Sequence, residues 1–242
     1  MIDVKPTVVL LHGLARTRRS LRSLRRAVEA AGYPTWSRSY PSIRMTTLEA
    51  AAWVRERLLA EVAPGPLFGV THSLGGIVVR QLAAHFSWEG LVMLAPPNQG
   101  SRLARAVAEK GLKPLLCGPA GRELASEGLW PSPPSPFAVV AGTRPQVADS
   151  AHSWLGRRLG VFGADVPHDG TVCVDETRLP GMADFATVPA GHHFLMDDPR
   201  VEHLVLSFLR HGRFVAAGAT RAEDRQTEPG SAASLGLREA RA

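Results

Sequence analysis

The pattern of hydrophobic positions predicts buried strands that alternate with amphipathic helices. Short runs of aliphatic and β-branched residues, without polar alternation, are typical of strands in a parallel sheet covered on both faces. This alternation predicts an α/β protein with a mostly parallel sheet, right-handed crossovers and flanking helices. The predicted strands are Thr7 to Leu11, Tyr33 to Tyr40, Pro66 to Val70, Gly90 to Ala95, Phe137 to Gly142 and Ala183 to Pro189.

Helices are predicted between these strands, wherever apolar residues recur at intervals of three or four. The inward face of the first helix is predicted to consist of Leu21, Leu24 and Val28. The inward face of the second is predicted to consist of Leu48, Ala51, Ala52, Leu58 and Leu59. The predicted helices are Arg18 to Ala31, a helix capped by Thr46 or Thr47 that runs through Glu61, Ile77 to His85, Leu103 to Lys110, Arg122 to Glu127 and Pro199 to Arg210.

Two stretches depart from this pattern. Residues 102–136 contain scattered apolar residues without a clean period, and long segments between strands are often functional. We expect this segment to form a cap over a functional site and to provide an apolar pocket there; the alternative is irregular packing at a sheet edge. Residues 217–242 lack an apolar period and are rich in Ala, Gly, Arg, Glu and Ser, which predicts a disordered tail after a single domain over 1–216.

Composition excludes several classes of function. No apolar run approaches the ~20 residues that a membrane span needs, and the N-terminus lacks the layout of a signal peptide, so we expect a cytoplasmic location. The net charge is +6, but the basic residues are spread out and not interleaved with aromatic ones, so no nucleic-acid partner is expected. The basic helix Arg18 to Ala31 is compatible with weak contact with a membrane surface; a solvated surface helix is the favoured alternative.

No cofactor is expected either. The two cysteines, Cys117 and Cys173, are expected to be free thiols in a reducing compartment. No group of His, Cys or Asp has metal-ligand spacing, and no glycine loop of the kind that holds phosphates is present. The sequence carries no signal for an oligomeric state.

The predicted chemistry centres on Ser73, where a buried strand turns directly into a helix. A sharp strand-to-helix turn around x-x-Ser-x-Gly-Gly is typical of the nucleophile elbow of serine hydrolases. Gly75 and Gly76 provide the small neighbours that such a turn needs, because strand and helix backbones pass close together there. The first position of the motif is usually glycine, and here it is Thr71.

A second motif, His12-Gly13-Leu14, follows the first predicted strand. Many serine hydrolases take half of their oxyanion hole from the residue after such a glycine. The N–H groups of Leu14 and Leu74 are therefore the predicted oxyanion donors. The alternative is an ordinary turn with a packed His12.

A serine nucleophile needs a base, and the base needs an acid that fixes its tautomer. The expected order along the chain is Ser, then Asp or Glu, then His, with the base just past the last strand. His192 fits that position, with His193 as the alternative. For the acid, the sequence offers Asp149, Asp165, Asp169 and Asp175, of which Asp169 lies in the best-defined turn.

These motifs together resemble the α/β-hydrolase fold and are similar to small bacterial lipases and esterases. The resemblance runs from about Val8 to Phe214 and includes the segment Pro97-Asn98-Gln99-Gly100-Ser101. It implies a three-layer fold with Ser73 as nucleophile, Asp169 as acid and His192 as base. It also implies the Leu14 and Leu74 amides as the oxyanion hole.

The predicted function is the cleavage of carboxylic esters, lipase-like or esterase-like, through a Ser-His-Asp triad and an acyl-enzyme intermediate. The expected partner is a small-molecule or lipid ester substrate. A thioesterase, an amidase or an acyltransferase would use the same triad. The alternative from another class is a catalytically silent binding protein on the same fold.

Overall fold

The centre of the structure is one sheet of six strands, and every neighbouring pair is parallel. This computed structural model describes residues 5–112, 118–126, 130–144, 151–163 and 165–215. The strands, in the spatial order β2-β1-β3-β4-β5-β6, are β1 (Thr7–Leu11), β2 (Thr35–Trp36), β3 (Leu67–His72), β4 (Trp88–Leu94), β5 (Phe137–Gly142) and β6 (Asp184–Val188). The predicted parallel sheet is confirmed.

Helices cover both faces of the sheet, which makes three layers. Two of them, α1 and α8, pack on one face against Val8 and Leu10, and α2 to α5 pack on the other against Val9 and Leu11. The helices are α1 (Arg22–Ala30), α2 (Thr47–Glu61), α3 (Leu74–Gln81), α4 (Arg102–Glu109), α5 (Pro119–Glu123), α6 (Ala151–Arg158), α7 (Val174–Thr177) and α8 (Pro199–His211). Within the described residues, 3₁₀ helices lie at Arg18–Leu21, Ala83–His85 and His192–Asp197.

The second strand is much shorter than predicted. The sequence predicted Tyr33 to Tyr40, but β2 has two residues because the chain then turns back onto the end of β1. Ser37 donates its hydroxyl to the Leu10 carbonyl, and Tyr40 donates both its N–H and its hydroxyl to His12. These bonds replace the ladder that a longer edge strand would have formed.

The predicted inward face of α2 is partly wrong. The side chains of Leu48 and Leu59 are 65% and 64% exposed, and Ala52 is also exposed. Thr46 caps the helix together with Glu49, and this start sets the helical phase. The buried residues then follow the helical period as Thr47, Ala50, Ala51, Val54 and Leu58.

Other differences concern the connections. The elbow helix α3 begins at Leu74, three residues earlier than predicted, and α6 lies in a stretch where no helix was predicted. Within the segment 102–136, the buried side chains of α4 and α5 and that of Leu124 belong to the hydrophobic cluster that also contains Val9 and Leu11 of β1. Its role as a cap stays a prediction. Cys117, Asp149 and the tail 217–242 lie outside the described residues.

Among the residues that the structure describes, no helix is long and apolar enough to cross a membrane.

Two backbone segments approach closely where β1 ends beside the start of α3. A Cβ atom placed on Gly75 would lie 2.4 Å from the Leu11 carbonyl oxygen and 2.9 Å from the Leu11 carbonyl carbon. Backbone atoms cannot move aside as a flexible side chain can. Only glycine at this position lets the helix start against the first strand.

We expect Gly75→Ala to reduce the free energy of unfolding by about 2–3 kcal/mol, as overpacking against rigid neighbours does. Alanine is otherwise the better helix former, so the loss would report the contact with Leu11. Urea unfolding measures it. Gly65→Ala is the matched control, because nothing lies within 4 Å of a Cβ there. Equal stabilities of the two variants would contradict the predicted clash.

Candidate active site

Ser73 lies in the turn between β3 and α3 with an unusual backbone conformation. Its φ is 51° and its ψ is −122°, a combination that L-residues rarely adopt and that costs about 1–3 kcal/mol. The Ser73 N–H donates to the Leu94 carbonyl at 2.8 Å, so the neighbouring strand β4 holds the turn in place. The side chain is nearly buried, and no described residue is hydrogen-bonded to its hydroxyl.

The threonine that replaces the usual first glycine fits the turn. Thr71 is fully buried in β3, where a β-branched residue suits the extended backbone. Its Oγ1 lies 3.5 Å from the point where a Cβ on Gly76 would sit, and that Cβ would also lie 2.8 Å from Met93 Cε. The second glycine of the pair therefore makes room for both side chains.

Asp169 and His192 form a buried hydrogen-bonded pair. The distance from His192 Nδ1 to Asp169 Oδ2 is 2.7 Å, and both side chains are almost completely shielded from solvent. Because a carboxylate only accepts, the shared proton is on Nδ1, which leaves Nε2 as the acceptor of the neutral ring. No residue that the structure describes is hydrogen-bonded to that Nε2.

The second oxygen of the Asp169 carboxylate is also satisfied. Oδ1 accepts the N–H groups of Thr171 at 2.9 Å and Val172 at 2.7 Å. Gly170 has a φ of 95°, which turns the chain sharply enough to bring these amides round. The Asp-Gly turn therefore orients the carboxylate toward His192.

The rival residues lie elsewhere or point elsewhere. Asp165 is exposed, and Asp175 forms an exposed ion pair with Arg102. The His193 ring centroid lies 6.0 Å from that of His192, and the carbonyl of His193 accepts a hydrogen bond from Arg16. Among the described candidates, only the pair Asp169 and His192 shares a hydrogen bond between acid and base.

The loop after β1 lies beside the serine. A Cβ on Gly13 would lie 3.1 Å from Ser73 Cβ and 3.0 Å from His72 Nδ1, so this glycine permits close contact. Neither the Leu14 N–H nor the Leu74 N–H has an acceptor within the described parts of the chain. Both groups stay predicted oxyanion donors.

His12 shapes that loop. Its Nδ1 donates to the Gly13 carbonyl at 2.8 Å, and its Nε2 accepts the Tyr40 N–H at 3.2 Å. The rings of His12 and Tyr40 are stacked, with their centroids 4.2 Å apart, and the Tyr40 hydroxyl donates to the His12 carbonyl at 2.5 Å. Burial lowers the pKa of His12 and raises that of Tyr40, so both stay neutral. Sequence reasoning missed Tyr40, whose partner is distant in sequence.

A buried arginine that sequence reasoning also missed ties three segments together. Arg80, on α3, donates to the Asn98 carbonyl and to its Oδ1, at 3.1 and 3.2 Å, and to the carbonyls of Trp130 and Pro131. Asn98 in turn donates to the Thr177 carbonyl at 2.8 Å. Burial lowers the pKa of Arg80 to about 10. The Pro97 to Ser101 motif was the one sequence signal for this junction.

His72, the residue before the serine, contacts the turn that contains His192. Its Nε2 lies 3.0 Å from the carbonyl oxygen of His192, and the two ring centroids are 4.8 Å apart. The ring is completely buried, and burial is the main reason why its pKa lies well below the usual value. The positive charge of Arg16 acts in the same direction.

Cys173 is free, as predicted, and buried. Burial raises the pKa of its thiol to about 12, so it is not a thiolate at neutral pH. Within the described residues, no group of three or more His, Cys, Asp or Glu has the arrangement of a metal site.

Comparisons with known proteins give structural matches only. No protein-family model matches the sequence, and no curated protein matches it. The mature lipase BlEst2 of Bacillus licheniformis is 20% identical, with a TM-score of 0.67, over 86% of this chain and 93% of the lipase. The match covers 52% of the longer propeptide form of that lipase.

Two further structures are similar. The metagenomic carboxyl esterase MGS0156 is 21% identical over 78% of this chain and 65% of the esterase, with a TM-score of 0.56. A pyrethroid hydrolase from Sphingobium faniae JZ-2 is 15% identical over 85% of this chain and 98% of the hydrolase, with a TM-score of 0.52. The chain therefore has the α/β-hydrolase fold, as the sequence resemblance implied.

The low pKa of His72 predicts a loss of stability in acid. An unfolded histidine has a pKa of about 6.5, so below that pH the unfolded chain binds a proton that the folded one does not. The stabilising contribution is complete above about pH 6.5 and falls with pH toward the folded pKa, by at most about 1.4 kcal/mol per pH unit. The free energy of unfolding, measured in urea between pH 7.5 and 5, should fall less steeply with decreasing pH in His72→Gln than in wild type.

Equal pH dependence of the free energy of unfolding in the two proteins would refute this prediction. His85→Gln, at an exposed histidine, is the control.

Proposed function

We propose that this protein hydrolyses carboxylic esters by a serine mechanism. The observation that carries the proposal is the 2.7 Å hydrogen bond between Asp169 and His192, at the same sheet edge as the strained Ser73 turn. A neutral imidazole whose Nδ1 proton is held by a buried carboxylate is prepared to accept a proton at Nε2. A serine hydroxyl beside such a base is the usual source of an activated oxygen nucleophile.

In the proposed first half-reaction, the Ser73 oxygen attacks the ester carbonyl carbon and His192 takes its proton. The carbonyl oxygen becomes negative and accepts hydrogen bonds from the N–H groups of Leu14 and Leu74. One donor of this kind is worth about 2.7–4 kcal/mol in the transition state. The intermediate collapses when His192 protonates the leaving alcohol, and the acyl group remains on Ser73.

The second half-reaction repeats these steps with water. His192 removes a proton from water as it attacks the acyl carbon, and returns that proton to the Ser73 oxygen when the acid leaves. Asp169 keeps its charge throughout and stabilises the imidazolium that forms twice in each cycle.

The reaction class is hydrolysis, and the choice of esters rests on the neighbours. Two of the similar structures are a lipase and a carboxyl esterase by name. Thioesters, amides and acyl transfer to another alcohol would engage the same three side chains. A small-molecule or lipid ester is the proposed substrate.

The Ser73→Ala variant should lose hydrolysis of p-nitrophenyl esters, from acetyl to palmitoyl, by at least about 10⁴-fold in kcat. The reason is that no other described group offers the attacking oxygen. Ser87→Ala, the same change at an exposed serine, should keep wild-type rates. A fluorophosphonate probe should label wild type and Ser87→Ala but not Ser73→Ala. Labelling without hydrolysis would indicate a different leaving group, and no labelling of folded wild type would favour the silent binding protein.

Asp169→Asn should lower kcat by about 10⁴-fold, because an amide favours the wrong tautomer of His192. The matched control is Asp165→Asn, which removes an exposed carboxyl from the same loop. Circular dichroism of both variants checks folding, and rates over pH 6 to 9 check the base. Full activity of Asp169→Asn would contradict the assigned acid.

A further inference from the structure

The turn that contains His192, the proposed base, is attached to β3 by a side chain outside the proposed triad. His72 is the last residue of β3, next to Ser73, and only 1% of its surface is exposed. Its Nε2 reaches the backbone carbonyl of His192 at 3.0 Å, across 120 residues of sequence. The contact directly links the elbow to the residue that carries the base.

The direction of this hydrogen bond follows from its partner. A carbonyl oxygen can only accept, so Nε2 of His72 carries a proton and donates it. Nδ1 faces Gly13 and has no partner among the described residues. Burial disfavours a charge on this ring, so it remains a neutral donor at neutral pH.

His192 is thereby fixed on three sides. Its N–H donates to the Asp169 carbonyl at 3.0 Å, its Nδ1 binds the Asp169 carboxylate, and its carbonyl accepts from His72. The first two bonds both come from the loop that carries Asp169. The bond from His72 ties the turn to β3, the strand that presents Ser73.

Solvent cannot replace this bond. The atoms on both sides are buried, so loss of the donor would leave the His192 carbonyl unpaired, at a cost of about 1–3 kcal/mol. By contrast, the bond from Arg16 to the His193 carbonyl comes from a half-buried side chain, where water can substitute. The turn would relieve an unpaired carbonyl by shifting, and a shift of about 1 Å at a catalytic group lowers rates about 10²-fold.

We propose that His72 is a positioning residue that sets the distance between the base on His192 and the nucleophile on Ser73. The proposal deepens the proposed function and rests on it, since it assumes that these two residues react. His72 itself touches neither substrate nor reacting atoms. It acts through the backbone of His192.

The test compares two replacements of the same side chain. His72→Leu fills similar space without a donor, whereas His72→Gln carries an amide N–H at about the reach of Nε2. We expect His72→Leu to lower kcat by about 10- to 100-fold with KM within about twofold of wild type. We expect His72→Gln to recover kcat to within about fivefold of wild type. His85→Leu, at an exposed histidine in the 3₁₀ helix Ala83–His85, is the control for the substitution.

Two results would overturn the proposal. One is wild-type kcat in His72→Leu, and the other is equal loss in His72→Gln and His72→Leu when both are folded. If His72→Leu does not fold, His72→Asn replaces it, because its shorter amide falls about one bond short of the carbonyl. Higher kcat in His72→Gln than in His72→Asn would support the proposal, and equal kcat in the two variants would refute it.

A readout without substrate separates this proposal from the proposed function. The proton on His192 Nδ1, shared with Asp169, gives a far-downfield proton NMR resonance that needs no turnover. It should persist in His72→Gln and weaken or disappear in His72→Leu. If folded wild type neither hydrolyses esters nor reacts with a fluorophosphonate, the proposed function fails while this resonance still tests the positioning. A resonance unchanged in His72→Leu refutes the positioning even if ester hydrolysis is established.

Discussion

The constraint on which the structure depends is the contact between the start of α3 and the end of β1. The absence of a side chain at Gly75 lets the helix begin against the Leu11 carbonyl. That approach forces the chain to turn within one residue after β3, and Ser73 takes the strained conformation that results. The hydrogen bond from Ser73 to Leu94 and the fully buried β3 hold the strain in place. The serine is therefore presented by rigid elements.

Three buried histidines at this edge have different environments and different capacities. His12 uses both ring nitrogens for backbone partners and shapes the loop that holds Leu14. His72 donates to a carbonyl, and burial keeps its ring neutral. His192 alone is paired with a carboxylate, so it alone has a partner that stabilises a positive charge. The same side chain thus serves as scaffold, tether and candidate base, according to what its nitrogens contact.

The parts of the site are joined by side chains that carry no proposed chemistry. Arg80, on α3, donates to the Asn98 carbonyl, and Asn98 donates to the carbonyl of Thr177, eight residues after Asp169. Tyr40 fixes the loop of the first glycine. Sequence reasoning did not identify these contacts, because each joins residues that are far apart in the chain. The strand β2 was predicted too long for a related reason: Tyr40 is hydrogen-bonded to the distant His12 and not to a neighbouring strand.

The sequence by itself determined the parallel sheet, most of its strands, and the residues on which chemistry was expected, because buried parallel strands and a strand-Ser-Gly-Gly-helix turn have strong local signals. It left open whether His192 or His193, and which of four aspartates, would form the pair. Only the tertiary structure decided that Asp169 and His192 share a hydrogen bond. It also determined that Leu48 and Leu59 of α2 face outward, since the phase of a helix is set by its cap and packing. Local sequence fixes backbone shape, whereas the meeting of side chains from distant segments depends on how the layers pack.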